Sequence, residues 1–425
     1  MKKLIAMLVC FILVASLAMA GMTTASADGI KLTMMMNCSE ADPPANGYKE
    51  LIKRFNETNP DGITVECTFY ANSDYKTALS TMMAADSEPD IVFAWELGYL
   101  GNFVNGGKIV SLQPYFDADE EWKATFNDGV LPLLTYGGEI YGVPAQQCLG
   151  VMFYNTRIFA ENGLEVPTTY EEFLNVCQTL KDNGITPIAL ASTASDAWLV
   201  SQYIQEMSNG IGGYELFDSL YQETGAWNAP AFVEAAQNFQ KEVEAGYYED
   251  GFTGVTGDEA REFFRMGMTA MYFNGSWELS NVGDASVSPE AENISCFVIP
   301  KINPENTGVT LGSVDVTLAV TKNCENVDAA VEFLKFFTSE ESSTYMAYNY
   351  GKIPCLKWDL DETKISPLFA TVSNLIKEQK NMTPWLDRVN ADFGNEFNNQ
   401  SVAVANGDEP QACFDALQAY VESRK

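Results

Sequence analysis

Histidine is absent from all 425 residues. That excludes imidazole acid–base chemistry, His-based catalytic triads and His metal ligands. Cationic residues are scarce: 25 Lys and Arg stand against 58 Asp and Glu, a net charge of −33. Phosphate backbones and anionic bilayers are held by Lys and Arg clusters, so nucleic acid and anionic membranes are poor partners. The acidity reads as a solvated surface. No two cysteines form a C-x-x-C pair, which leaves zinc and thioredoxin-like readings without support. Eight cysteines lie beyond the N-terminal segment, at 38, 67, 148, 177, 296, 324, 355 and 413. Export would permit pairing. A large core needs no staples, however, and Cys67, Cys177 and Cys296 sit in apolar patterns, so free buried thiols are expected. There is no internal repeat, low-complexity linker, nucleophile motif or phosphate loop. Gly210-Ile-Gly-Gly213 lacks the preceding strand and the spacing of a dinucleotide fingerprint. Neither a cofactor nor a metal is expected.

What is present begins with an export signal. Met1-Lys2-Lys3 is basic, residues 4–20 are apolar, and Ala18-Met-Ala20 and Ala25-Ser-Ala27 offer cleavage sites. Cleavage after Ala27 is expected, placing the mature protein outside the cytoplasm: extracellular, at the cell surface or periplasmic. An uncleaved anchor is the alternative, with a marginal span. The remaining chain is too long for one ordinary core, so two lobes are expected.

Along the chain, Ile30, Leu32, Met34 and Met36 alternate as in a strand. Tyr48, Leu51, Ile52 and Phe55 recur at helical spacing until Asn59-Pro60. Ile63 to Phe69 alternates again, a helix over 75–85 follows, and Asp90-Ile-Val-Phe-Ala-Trp95 reads as a buried strand. Strands alternating with helices predict an α/β lobe with a mainly parallel sheet. Ligands of such sheets sit beyond the carboxyl ends of strands. Later, Phe173, Val176, Cys177 and Leu180 form one helical stripe, and Phe232, Ala235, Ala236, Phe239 and Val243 another. A helix over 259–268 leads into a strand over 270–273. Residues 314–320 alternate, 329–337 form a helix, and the last stretch is mostly helical.

The most informative segment is Gly137-Gly-Glu-Ile-Tyr-Gly-Val-Pro144 with Val151-Met-Phe-Tyr-Asn-Thr-Arg-Ile-Phe159 and Gly163-Leu-Glu-Val-Pro-Thr-Thr-Tyr-Glu-Glu-Phe173. Gly137-Gly138 suits a tight turn with positive φ. A short strand over 140–143 should end at Pro144, and a second should run over 149–154. Thr169 and Glu172 form a capping box. This combination resembles the lobe-to-lobe passage of solute-binding proteins of carbohydrate ABC transporters, the maltose and multiple-sugar type. Arg54-Phe-Asn-Glu-Thr-Asn-Pro-Asp61, Ser87-Glu-Pro-Asp-Ile-Val92, Phe264-Arg-Met-Gly-Met-Thr-Ala-Met271 with Asn274-Gly-Ser-Trp277, and Asn326 to Phe337 with Gly351-Lys-Ile-Pro354 extend the resemblance over nearly the whole chain. Two departures stand out. Met36-Asn37-Cys38 replaces the family's frequent aromatic or His, and Met268 stands where Lys is common, a change expected to concern packing. Cys10 lies inside the apolar run and does not fit a lipid-anchor pattern.

The resemblance implies a two-lobed periplasmic-binding-protein fold, each lobe a mainly parallel sheet flanked by helices. It implies lobe 1 over 28–143 plus 298–337, lobe 2 over 144–297 plus 338–425, and crossings at 143–145, 297–300 and near 329–337. It further implies capture of a neutral sugar or oligosaccharide by hinge closure and delivery to membrane permease subunits. A monomer without enzymatic activity is expected.

A sugar presents hydroxyls at its rim and an apolar C–H face, so its site needs aromatic platforms beside carboxylates and amides. The family pattern puts a stacking Trp at Trp277. Trp95 and Glu96 end a strand, and Trp198 follows Ala194-Ser-Asp-Ala197 in an expected loop. Gln146 and Gln147 follow the first crossing. Asn274, Ser313 and Asp315, the helix opening Trp385, Asp387 and Arg388, and the first-strand end Asn37 and Glu40 complete the candidates. Each has a plainer reading as packing, turn or surface residue. Two other functions stay open: the same fold binding a peptide, polyamine or metal chelate, and a glycoside hydrolase using two of the carboxylates. A surface adhesin or sensor subunit would look the same in sequence.

Overall fold

The computed structural model describes residues 29–357, 360–361 and 363–424; the expected signal peptide lies outside them. The chain opens with strand β1 (Lys31–Asn37), helix α1 (Pro43–Thr58), β2 (Thr64–Tyr70), α2 (Asn72–Ala84) and β3 (Ile91–Ala94). The expected alternation is present, and β1 pairs in parallel with both β2 and β3. A hairpin of β4 (Thr135–Tyr136) and β5 (Glu139–Ile140) turns on Gly137 and Gly138, both at positive φ. That conformation matches the strand twist and is cheap only for residues such as glycine.

Pro144 does not end a strand. It lies near the start of the 13-residue β6 (Val143–Asn155), which replaces the two short strands expected. Proline is tolerated there because the ladder is already irregular: the partner strand shifts register between Val314 and Thr317, opposite Pro144 and Gln146. Helix α3 (Tyr170–Asp182) carries the expected capping box of Thr169 and Glu172. Then come β7 (Thr186–Ala189), α4 (Ala197–Tyr221), α5 (Pro230–Glu244), α6 (Gly257–Arg265), β8 (Thr269–Gly275), β9 (Ile294–Phe297) and β10 (Val309–Val320). Gly210 to Gly213 lie within α4, where Gly213 at φ 71° breaks the helix into two segments. The chain finishes with α7 (Val327–Phe337), α8 (Glu340–Tyr350), β11 (Ile353–Pro354), β12 (Asn381–Thr383), α9 (Leu386–Val389), α10 (Ala391–Ala405) and α11 (Pro410–Glu422), besides a helix over Pro367–Glu378 and other helices between these elements.

The main sheet runs β2-β1-β3-β10-β6-β8-β7, with β11 and β9 on β6 and β12 on β10. Strand β7 is parallel to β8, while β10 and β6 are antiparallel to each other and to β3 and β8 respectively. Three apolar clusters hold it. The first gathers Met34, Leu51, Phe93, Leu318 and Phe333. The second and third lie on opposite faces of β6 and β8: Met152, Phe173, Tyr203 and Phe273 on one, Val151, Phe153, Phe264 and Tyr272 on the other. Alternation along β6 divides its side chains between the two faces. Strands β6 and β10 are long enough to serve both halves. Phe297 and Ile299 pack in the second cluster, as does Leu311 within β10. Helix α7 lies wholly with the first cluster, which also takes Met346 of α8. All eight described cysteines are free, six of them buried. Met268, expected to pack, is 61% exposed.

The second half holds a buried acid, Glu242, and a half-buried one, Glu249. Glu242 of α5 accepts hydrogen bonds from the hydroxyls of Tyr170 (2.6 Å), Tyr203 (2.8 Å) and Tyr248 (2.6 Å). Burial pushes its carboxyl up, and the three phenols pull it only part of the way back. Glu249 follows the segment that bridges to β7 at Ile188 and Tyr248. Among the described residues no side chain pairs with its carboxylate, and burial pushes it to about 7 against a smaller pull from the backbone amides of Glu249 and Leu190. A carboxyl raised in the folded state stabilises the fold fully below its unfolded value. That stabilisation is lost as pH rises through the folded value. Relative to wild type, Glu249→Gln should therefore gain about 2 kcal/mol between pH 5 and pH 8, after allowance for residual solvation. Urea denaturation of both proteins at the two pH values checks this; parallel pH profiles would exclude Glu249 as the source.

Candidate functional site

A cavity of about 510 Å³ lies between the first cluster and the other two, at the carboxyl ends of β1, β3 and β8. Its size is that of a small-molecule site. Eight candidates from the sequence line it. Asn37 ends β1 and Trp95 follows β3; Asn274 and Trp277 stand at the end of β8; Trp198, Asp315, Asp387 and Arg388 come from later or longer elements.

Local chemistry explains several of these positions. The Trp277 ring folds back over its own strand: a Cβ on Gly275 would stand 2.0 Å from its Cζ3. Glycine is needed there for close approach, since its φ of −95° is ordinary. The ring reaches Trp385 at 5.3 Å and Trp198 at 6.1 Å between centroids. Trp198 is the second residue of α4, not a loop residue as expected, because the helix begins directly after Asp196. Trp95 meets Phe93 and Tyr99 edge-on at 4.7 and 4.9 Å. Asp315 sits at the β10 register shift; it is the one residue of that strand that is not fully buried. A bulge of this kind re-aims a side chain out of the ladder.

The remaining candidates support the walls or lie away from them. Glu96 is fully buried behind Trp95, and Arg388 Nη1 donates to both of its oxygens at 3.2 Å. The backbone turns sharply just afterwards, with Leu97 at a positive φ of 57°, the kind of strain that collects at functional sites. Gln146 is buried and accepts from the Tyr48 hydroxyl at 2.8 Å. Gln147 donates to Pro354 O at 3.0 Å. Ser313 is buried in β10, and Trp385 is buried beneath Trp277. Glu40 is exposed and pairs with Lys49 at 3.4 Å.

The sequence reading missed most of the charges. Asp42, Lys76, Asp196, Asp258, Arg261, Glu278 and Lys352 also line the cavity. Lys76 pairs with Asp387 at 3.6 Å and Lys352 with Asp315 at 3.7 Å. Arg261 meets Asp258 at 2.6 Å, Glu278 at 3.4 Å and Asp42 at 3.8 Å. Burial alone would lower the Arg261 guanidinium; Glu278, Asp42 and Asp258 outweigh it and hold it above its usual value. Burial pushes both Asp42 and Glu278 up despite Arg261. Burial also lifts the Cys38 thiol, at the cavity edge, to about 12, so it is a poor nucleophile. Among the described residues, each of the four lining cations is engaged by a carboxylate, and none is left to receive an anion. The site thus offers rings, amides and hydrogen-bond acceptors in a charge-balanced to acidic frame. Among the described residues no group of three or more potential metal ligands converges.

The family model for bacterial extracellular solute-binding proteins matches residues 41–344. The multiple sugar-binding protein of Streptococcus mutans is 24% identical over 338 residues, spanning 75% of this chain and 74% of its own. The melibiose/raffinose/stachyose-binding protein of Bacillus subtilis is 21% identical over 376 residues, 86% of this chain and 82% of its own. A solved structure from work on xylan utilization by Caldanaerobius polysaccharolyticus superposes with a TM-score of 0.85 at 28% identity. It covers 92% of this chain and 100% of that one.

Proposed function

The chain belongs to the bacterial extracellular solute-binding protein family, and on that premise we propose that it captures a neutral sugar or oligosaccharide between two lobes and hands it to the permease of an ABC importer. The observation that carries this reading is the cleft itself. Trp95 on one side and Trp198 with Trp277 on the other flank a cavity rich in carboxylates and amides, with no uncommitted cation among the described residues. Stacked rings cover a sugar's C–H face while Asp315, Asp387 and Asn274 take its hydroxyls. The protein acts as a monomeric receptor outside the cytoplasm, without turnover.

Closure rotates the lobes about β6 and β10 at the register shift opposite Pro144. The packing of Ile299 and Leu311 with the second cluster supports a return crossing inside β10 rather than at 297–300. The packing of Met346 with the first cluster and Ile353 with the third supports a final crossing after α8 rather than near 329–337. Ligand drives this motion only by touching both lobes, since equal affinity for open and closed forms shifts nothing.

Calorimetric titration with maltotriose, xylotriose, raffinose and diacetylchitobiose tests the reading, with spermidine and a tripeptide as counter-probes. At least one saccharide should bind, one per chain. Heat from spermidine or peptide alone would overturn it. With the saccharide that binds, Trp277→Ala should weaken affinity roughly tenfold, from loss of about 1 kcal/mol of ring stacking plus buried area. Its folding should suffer less than the roughly 3–5 kcal/mol of a core Trp truncation. A sharp loss of stability with unchanged affinity would reassign Trp277 to the core.

A further inference from the structure

The Arg261 corner of the cleft has more negative charge than its one guanidinium can neutralise, and the charge comes from both sides. Asp42 precedes α1, which packs in the first cluster. Asp258 and Arg261 lie on α6, whose Ala260 and Phe264 pack in the third, and Glu278 directly follows Trp277 beyond β8. Asp42 and Glu278 are mostly buried, with side chains 26% and 8% exposed, while Asp258 reaches solvent.

The other charges near this corner are largely committed. Lys352 pairs with Asp315, and Arg265 pairs with Glu262. Asp42 also faces the Cys38 thiol. Bringing the two halves together thus removes water from Asp42 and sets it against Asp258 and Glu278. Like-charged carboxylates around one cation do not all ionise freely in a desolvated site.

We propose, resting on the closure reading above, that closing of the cleft is proton-linked: the closed protein holds a proton between Asp42 and Glu278, which share Arg261, that the open protein releases, so saccharide binds more tightly as pH falls. Linkage makes the effect reciprocal, because a ligand that favours the closed form must raise its proton affinity. Burial already raises the Asp42 and Glu278 carboxyls in the folded chain, which agrees with this direction. The opposite device, an Asp42–Arg261 clasp that holds the lobes shut, predicts the opposite sign. The 3.8 Å separation and the net upward shift of Asp42 argue against it.

The test uses the mature protein, the four saccharides named above, and calorimetry at pH 7.5, 6.5 and 5.5 in buffers of different ionisation heat. Affinity for a saccharide that binds should rise roughly three- to tenfold from pH 7.5 to 5.5, with proton uptake that scales with buffer heat. Asp42→Asn, which mimics the protonated acid, should bind at pH 7.5 as wild type does at pH 5.5 and lose most of the pH slope. Glu278→Gln should also flatten the slope. Affinity that is flat or falls on acidification, or weaker binding by Asp42→Asn, overturns the proposal. If no saccharide gives heat, the sugar reading fails, and small-angle scattering of the unliganded protein decides this one. Its radius of gyration should shrink from pH 7.5 to 5.5 in wild type and stay constant in Asp42→Asn; a constant wild-type radius overturns it.

Discussion

Replacing Arg388 with Met is expected to destabilise the protein by about 3–5 kcal/mol and to disrupt the cleft at the same time. The Glu96 carboxylate is completely buried, and its side-chain bonds come from one guanidinium nitrogen. That same nitrogen donates to Val314 O at 2.8 Å, just before the irregular stretch of β10. The guanidinium also lies over the Trp385 ring at 4.2 Å and within 6.0 Å of Trp95. One side chain therefore ties the end of β3, the bend of β10 and helix α9 together behind the cavity. Burial disfavours its charge, and Glu96 more than compensates, holding the guanidinium above its usual value.

Methionine fills much of the same volume but leaves Glu96 as an uncompensated buried charge. Arg388→Lys keeps the charge and loses the planar fork and the stacking, so it should fall between Met and wild type. A double variant, Glu96→Gln with Arg388→Met, should recover part of the stability, because removing both charges of a buried pair is far milder than removing one. Denaturant titration of the three variants measures the stabilities, and calorimetry with a bound saccharide measures the site. A loss below about 1 kcal/mol for Arg388→Met would show that solvent reaches Glu96 after all.

The contrast between Arg388 and its neighbours shows what a sequence can and cannot disclose. Strands, helices and caps rest on neighbours along the chain. Hence Thr169 with Glu172, the Gly137-Gly138 turn and the alternation of β1 and β2 are legible in the sequence. The tryptophans of the cleft were legible for different reasons: Trp95 because it ends a strand, Trp277 because the family pattern places a stacking ring there, and Trp198 because it follows a run of small and polar residues. Arg261 looks like any helix-surface arginine: its contact with Asp258 three residues away is local, whereas Asp42 and Glu278 become partners only in the fold. Lys352 was inside a recognised segment, Gly351-Lys-Ile-Pro354, yet its partner Asp315 is set by a bulge that has no local signature. Pro144 misled for a related reason. Proline argues against a strand interior, but the irregular pairing that accommodates it comes from a strand about 170 residues away.

The second large effect is expected in Lys301→Met, again about 3–5 kcal/mol. Glu206 of α4 is 1% exposed. Its Oε1 accepts from Lys301 Nζ and from the Thr310 hydroxyl at 2.8 Å, and its Oε2 accepts from the Leu311 amide at 2.8 Å. This knot fastens α4 to the first residues of β10, and so sets the height at which β10 enters the sheet. Without the ammonium, Glu206 keeps two neutral donors but loses the charge that justified burying it. Adding Glu206→Gln should restore a good part of the loss, since the amide oxygen still accepts from Leu311 and the buried charge is gone. Glu206→Leu should restore less, because it strands the Leu311 N–H and the Thr310 hydroxyl. Because β10 is the shared strand, loosening its anchor should also reach the cleft: Lys301→Met should bind saccharide more weakly than wild type even where it is fully folded, through a higher entropic cost of closure. Denaturant midpoints for the single and double variants, with calorimetry at a temperature well below unfolding, separate the two effects. Wild-type affinity in a strongly destabilised Lys301→Met would confine the knot to stability and detach it from closure.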